Sequence, residues 1–267
     1  MPPSELDLIQ VLILAVVQGL TEFLPVSSSG HLVLAGDWLD MEEAGLFLPI
    51  LLHVGTLVAV LAVYRKDVRQ LIGELLRGQF QETKLIVVAT LPIVIVGLCC
   101  RSVIKESFGD AGAAAGGLLV TSAILLSGEY FRRRNRSEGG EGRTQLCMRD
   151  AIVMGIAQAI AIVPGISRSG STIGAGMMLG IRPDRAARFS FLMSIPAILG
   201  ATILEGKDLF EEGCDPHLLS VPFVGLVVSA LVGWVALRWL IAFVAKGAFL
   251  WFAIYCAALG AGYLAFS

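Results

Sequence analysis

Six long apolar blocks, at residues 46–64, 85–100, 111–131, 186–204, 218–244 and 248–267, leave this chain almost no way to fold in water. Each comes close to the roughly 20 apolar residues that carry a helix across a bilayer. Only 16% of the residues are charged, against about a quarter in a soluble domain, and the charges collect between the blocks. That excludes a soluble globular enzyme and a disordered chain. It also excludes a nucleic-acid binder, which needs a basic surface, because 20 Lys and Arg against 22 Asp and Glu leave a net charge of −2. No Lys or Arg precedes Arg65, so the basic start of a cleaved signal peptide is missing, and the first apolar segment is expected to stay in the mature protein. The five cysteines, Cys99, Cys100, Cys147, Cys214 and Cys256, form no CxxC and no ligand-like spacing with histidine; they read as free thiols.

Two further apolar stretches differ in kind. Residues 6–39 are broken by LPVSSSGH (24–31), and residues 151–181 by VPGISRSGST (163–172). Each break carries proline, glycine and several serines, which predicts a helix–turn–helix hairpin that enters the bilayer and turns back. Gln18, Pro25 and Ser28 are echoed by Gln158, Pro164 and Ser167, so the chain reads as two halves, about 1–131 and 150–267, joined by a basic loop 132–149 within one membrane domain, 1–267. Three spans separate the hairpins. Because three is odd, the second hairpin must enter from the opposite face. The expected fold is an all-α polytopic membrane protein, an inverted-topology repeat of six transmembrane helices plus two re-entrant helical hairpins.

Charge placement agrees with that threading. Arg65, Lys66, Arg69, Arg77 and Lys84 fall on one face, with Arg132, Arg133, Arg134, Arg136, Arg143 and Arg149. Arg182, Arg185, Arg188, Arg238 and Lys246 join them there. Of the 20 Lys and Arg, only Arg101, Lys105 and Lys207 take the other face, beside the acidic loop Glu205, Asp208, Glu211, Glu212 and Asp215, while Arg168 sits inside a motif. The basic face is therefore expected to be cytoplasmic. Were one hairpin to cross, every later loop would change sides and the bias would vanish.

Polar groups inside apolar segments are costly and point to function. The first hairpin holds Gln18, Glu22, Ser27, Ser28, Ser29 and His31. Gln18 and Glu22, four apart, share a helix face. Glu22 is a lone carboxylate that needs a metal, a cation or several donors. The second hairpin offers Arg168 among Ser167, Ser169, Ser171 and Thr172, with Gly165 and Gly170 and the start of a new helix. These are the parts of an anion site, and phosphate fits it best. If the breaks meet, a hydroxyl, an imidazole, an anion clamp and a carboxylate suited to Mg2+ or Ca2+ come together for phosphoryl transfer. A bilayer-embedded site suggests a lipid with a phosphate head. His53 could reach this site from the first full span; His217 reads as surface. Gly116, Gly117, Gly225 and Gly233 are expected to permit close helix packing.

LTEFLPVSSSGH (20–31), PILLHVGTLVAV (49–60), PGISRSGST (164–172) and FSFLMSIPAILGA (189–201) resemble the signatures of the integral-membrane undecaprenyl-diphosphate phosphatases of the bacitracin-resistance type, in order along nearly the whole chain. The resemblance implies hydrolysis of undecaprenyl diphosphate with a divalent cation in the bacterial plasma membrane. It implies Glu22 as the second acid of an (E/Q)xxxE motif, with Gln18 at the first place where some members carry glutamate, so Glu22 would be the metal ligand there. Ser28 matches the hydroxyl nucleophile, His31 the general base or acid and Arg168 the phosphate clamp, with Ser27, Ser29, Ser167, Ser169 and Thr172 as further phosphate donors. Ser27, Ser29, His31 or a metal-activated water remain alternatives to Ser28 as nucleophile. The first hairpin opens outward in this threading, so the site is expected to face the extracytoplasmic side; a homodimer is compatible. The rival is a lipid-carrier flippase or anion transporter, since broken helices meeting at the midplane also build transporters. Transport needs a clamp alone, whereas hydrolysis needs a nucleophile and a proton acceptor beside it.

Overall fold

A computed structural model describes residues 8–38, 47–212, 220–246 and 249–266. Cys214, Asp215 and His217 lie outside the described residues. Among the described residues the chain forms twelve α-helices and no strand. In order they are α1 (Leu8–Thr21), α2 (Ser28–Trp38), α3 (Phe47–Val63), α4 (Arg65–Leu76), α5 (Gln81–Cys99) and α6 (Arg101–Ser107). There follow α7 (Ala111–Ser137), α8 (Met148–Ile160), α9 (Arg168–Met178), α10 (Pro183–Glu212), α11 (Ser220–Lys246) and α12 (Phe249–Phe266). Five of these, α5, α7, α10, α11 and α12, are long and apolar enough to cross a membrane. The 17-residue α3 is apolar too, and the chain then bends by 77° into α4. On α5, Val87, Leu91, Val94, Ile95 and Leu98 are all exposed at helical spacing, a stripe that only lipid would cover. The chain is a multi-pass membrane protein.

The predicted breaks are where helices stop. Helices of 14 and 11 residues flank the first and of 13 and 11 the second, each too short to cross a hydrocarbon core of about 30 Å at about 1.5 Å per residue. Two elements depart from the expected loops. Both α4 and α6 are helical, and α4 exposes Ile72, Leu75 and Leu76 beside Arg65, Lys66 and Arg69, the pattern of a helix lying in the membrane surface.

The basic loops gather at one end. Arg188 on α10 reaches Asp67 on α4 at 2.5 Å and also binds Glu82 on α5. Arg143 and Ile181 form a parallel bridge between the loop 138–147 and the α9–α10 turn. Arg143 also grips Asp150, at the start of α8, at 2.9 and 3.0 Å and donates to the Leu179 carbonyl at the end of α9 at 3.0 Å. Both feet of the second hairpin therefore lie together at this end. Burial pushes the Asp150 carboxyl up, but the Arg143 guanidinium and the Cys147 N–H outweigh it and hold the group below its usual range. Asp37, at the end of α2, instead meets the Tyr263 hydroxyl near the end of α12 at 2.8 Å.

The core sits between the hairpins and the helices that clasp them. α1 packs on α11, α8 on α5, and α9 on α7, α8 and α10; Phe23, Phe189, Phe191, Met154 and Ile173 fill the largest cluster. Where α7 passes the second break, backbones touch. A Cβ on Gly165, whose φ is 85°, would lie 1.9 Å from the Ala114 carbonyl oxygen, and one on Gly117 would lie 2.4 Å from that of Pro164. A Cβ on Gly225 or Gly233 would instead meet a side chain at 2.9 Å, Val11 and Phe23 respectively, whereas Gly116 faces open space; on α7 the close approach falls to Gly117 alone of that pair. Gly165→Ala should therefore destabilise the fold by the order of 3 kcal/mol or more, through overlap and positive φ together. Loss of monodisperse protein, or a strongly lowered Tm in detergent, checks it.

Candidate active site

Each break ends in a serine that starts the next helix. Ser27 Oγ accepts the Gly30 N–H at 3.2 Å, and Ser167 Oγ accepts the Gly170 N–H at 3.0 Å. The hydroxyls of Ser27 and Ser29 lie 3.2 Å apart, as do those of Ser167 and Ser169. Between the two breaks these bonds match Ser27 with Ser167, one residue from the Ser28–Ser167 match expected from sequence. Ser28 and Arg168 are then equivalent positions, each the first residue of its helix.

The breaks lie against each other. A Cβ on Gly30 would come within 2.8 Å of Gly165 Cα, and one on Gly170 would sit 3.4 Å from Pro25 Cβ. Ser169 Oγ donates to the Leu24 carbonyl at 3.1 Å. Arg168 thereby reaches Glu22: Nη2 donates to Oε1 at 2.5 Å. The other carboxylate oxygen, Oε2, accepts Ser28 Oγ at 2.6 Å and Gln18 Nε2 at 3.1 Å. His53 Nε2, from α3, stands 3.8 Å from Oε2. Glu22 is only 8% exposed. A buried carboxylate needs this much compensation, because an unpaired one would protonate.

His31 is turned elsewhere. Its Nδ1 donates to the Ser27 carbonyl at 2.7 Å, so Nε2 is the acceptor for the Tyr255 hydroxyl, also at 2.7 Å. This is the arrangement of the neutral ring protonated on Nδ1, and the imidazole stacks on the Tyr255 ring. It lies beside the backbone of Ser27, the described non-glycine residue with positive φ, at 68°. Such a conformation costs about 1–2 kcal/mol, and the bonds to Ser27 from His31 and Gly30 hold it. Ser28 therefore presents its proton to Glu22, and His31 positions the turn that carries Ser28.

Thr172 Oγ1 donates to the Arg168 carbonyl at 2.8 Å and pairs with Ser190 Oγ at 2.6 Å. Two polar atoms of the residues that bind Glu22, Arg168 Nη1 and Gln18 Oε1, have no partner among the described residues although buried, as is also true of Ser171 Oγ and the Gln158 amide in the second hairpin. Buried polar groups are nearly always satisfied, so orphans beside an ion pair suggest a ligand. Among the described residues no group of three His, Cys, Asp or Glu side chains gathers. A hard cation would find one carboxylate and the orphaned Gln18 oxygen, which suits Mg2+ or Ca2+ only with phosphate oxygens filling the shell.

Sequence reasoning missed the groups that hold the breaks. Thr121 on α7 accepts the Ser167 N–H and donates to the Gly165 carbonyl, both at 2.8 Å, and Cys256 on α12 donates weakly to the Pro25 carbonyl at 3.8 Å. A hydroxyl amid the apolar residues of α7 was the available signal for Thr121. Thr121→Val should leave both partners buried and unsatisfied, costing about 2–4 kcal/mol, whereas Thr121→Ser should stay near wild type; thermal unfolding in detergent tells them apart.

The sequence family described as bacitracin resistance protein BacA matches residues 11–262. A protein of Desulfatibacillum aliphaticivorans is 40% identical over 272 residues, covering 95% of this chain and 96% of its own. One from Corynebacterium glutamicum strain ATCC 13032 is 36% identical over 257 residues, covering 92% and 86%. One from Mycolicibacterium vanbaalenii is 36% identical over 264 residues, covering 94% of each. All three are named undecaprenyl-diphosphatase.

Proposed function

The chain belongs to the bacitracin resistance protein BacA family, and we infer that it hydrolyses undecaprenyl diphosphate to undecaprenyl phosphate and inorganic phosphate. This is a membrane-embedded phosphatase activity, returning a lipid carrier to cell-wall synthesis and fitting bacitracin resistance. The flippase or anion carrier has no support from the relatives, which are all named for the phosphatase reaction.

The observation that carries the chemistry is the double engagement of Glu22, with the Ser28 hydroxyl on one oxygen and Arg168 on the other. Arg168, pinned through Nη2, offers its unpartnered Nη1 to the terminal phosphate. Ser28 Oγ attacks that phosphorus as its proton passes to Glu22. The bond from phosphorus to the bridging oxygen breaks, and the lipid monophosphate leaves. Water then attacks the phosphoserine, the phosphorus–Oγ bond breaks as protonated Glu22 returns its proton to Ser28 Oγ, and orthophosphate leaves carrying the water's oxygen and protons. Ser27, Ser29, Ser167, Ser169 and Thr172 offer the phosphates hydroxyls; mutual bonds fix Ser27 with Ser29 and Ser167 with Ser169, while the Arg168 carbonyl and Ser190 fix Thr172. Positive charge fixed where negative charge is transferred is the main catalytic lever in such a site.

A divalent cation, Mg2+ or Ca2+, would be held by Glu22, Gln18 Oε1 and substrate phosphate oxygens, and would neutralise the diphosphate. The basic end faces the cytoplasm of a bacterial plasma membrane by the positive-inside rule. The two hairpins then enter from opposite faces, with the first opening outward, so the phosphates are reached from the extracytoplasmic side.

Phosphate release from undecaprenyl diphosphate by the purified protein in detergent tests the reading. Release should fall to background with excess EDTA and return when Mg2+ or Ca2+ is added. A folded protein that releases no phosphate with either cation overturns the activity, and full release in EDTA overturns the cation alone.

A further inference from the structure

A cleft of about 410 Å3 opens at the basic end, beyond the far end of α9 from Arg168. The 11 residues of α9 give roughly 16 Å of rise between them, so the cleft is separate from the diphosphate site. Its rim carries Asn135, Arg136 and Arg182, and Met177, Ile181 and Val244 give it an apolar floor. The walls are preformed. The Arg143 N–H donates to the Gly180 carbonyl at 2.8 Å, and the Arg182 N–H to the Arg143 carbonyl at 2.9 Å. Asp150 and the Leu179 carbonyl hold the Arg143 side chain.

Most cations around this cleft are already engaged. Arg132 binds both oxygens of Glu129 at 2.7 Å, Arg134 binds Glu138 at 3.1 Å, and Arg182 binds Asp184 at 3.0 and 3.1 Å. Arg136 has no carboxylate partner among the described residues, and the half-buried Asn135 side chain makes no hydrogen bond among them. Two uncommitted donors therefore line a rigid, partly apolar cleft. Its depth is marked independently: Tyr130 and Phe131, within two turns of Arg136 on α7, are 61% and 38% exposed and pack edge to face. Aromatic residues of this kind sit at the headgroup level of a bilayer.

We propose that this cleft binds the phosphate of an anionic phospholipid headgroup, with Arg136 and Asn135 on its oxygens and the adjoining hydrocarbon against Met177 and Val244. An arginine near a phosphodiester at the interface is a charge-assisted contact, and the apolar floor favours a lipid over a free ion. Glu141, also on the rim, opposes the anion and limits the affinity.

The test is native mass spectrometry of the full chain in detergent with phosphatidylglycerol or phosphatidylcholine, beside phosphatase activity as the check on folding. Phosphatidylglycerol should be retained in preference. Arg136→Ala should lower its retention roughly tenfold, Arg136→Lys should keep most of it, and Glu141→Gln should raise it, all with phosphatase activity unchanged. Displacement of the lipid by millimolar inorganic phosphate would assign the donors to free phosphate and overturn the lipid. Retention that ignores both headgroup charge and Arg136→Ala would overturn the site.

Discussion

Arg168→Ala should reduce phosphate release by about a thousandfold or more, since it removes the fixed positive charge from the transferring phosphoryl group. The same change strips Glu22 of its ion pair. Breaking a buried pair from one side costs about 3–5 kcal/mol, so lost activity could reflect lost folding. The double variant Arg168→Ala with Glu22→Gln separates the two effects. It leaves a neutral amide where the orphaned carboxylate would be, and Gln18 and Ser28 remain as its neighbours. Its Tm should recover toward wild type while its activity stays absent. Arg168→Lys should fold yet remain deeply impaired, because a single ammonium cannot serve Glu22 and a phosphate in the two directions the guanidinium spans. Phosphate release above a tenth of wild type by folded Arg168→Ala would remove Arg168 from the chemistry.

Much of this arrangement was legible before any coordinates. Long apolar blocks define membrane helices, because hydropathy over about 20 residues has few other outcomes. The breaks were legible for the same reason, since proline, glycine and serine clusters interrupt otherwise continuous apolar stretches. The short helices α4 and α6 were not, because their residues are mixed and a charged loop and a surface helix share a composition. Contacts within the site fell between these cases. Glu22 and Arg168 were placed in one constellation, yet the bond from Ser28 to Glu22 was not foreseen. It depends on the positive φ of Ser27, which no serine-rich motif announces. Tyr255 lies 224 residues from His31, and Thr121 lies 46 from Ser167; neither separation has a periodic signal. Both are set by which helix happens to pass the break.

The equivalence of Ser28 and Arg168 sharpens the remaining question, which group activates the nucleophile. Two matching breaks, with serine at this place in one and arginine in the other, set a hydroxyl opposite a guanidinium with Glu22 between them. The place in the second break that matches Glu22 holds Ile162, so one carboxylate serves both breaks. Glu22→Gln should therefore keep its bond with Ser28 but lose the ability to take a proton, lowering kcat by about 10²–10⁴ with a smaller change in KM. Ser28→Ala should lower kcat by at least as much and abolish any acid-stable phosphoserine trapped from substrate labelled in its terminal phosphate. His31→Gln should cost less, roughly tenfold, since it weakens the hold on the Ser27 turn without removing a reacting group. Tyr255→Phe should cost less again. The opposite ranking, with Glu22→Gln tolerated and His31→Gln as damaging as Ser28→Ala, would require the imidazole to swing from Tyr255 onto Ser28 when substrate enters. A label trapped on His31 in the Ser28→Ala protein would instead make the imidazole itself the nucleophile.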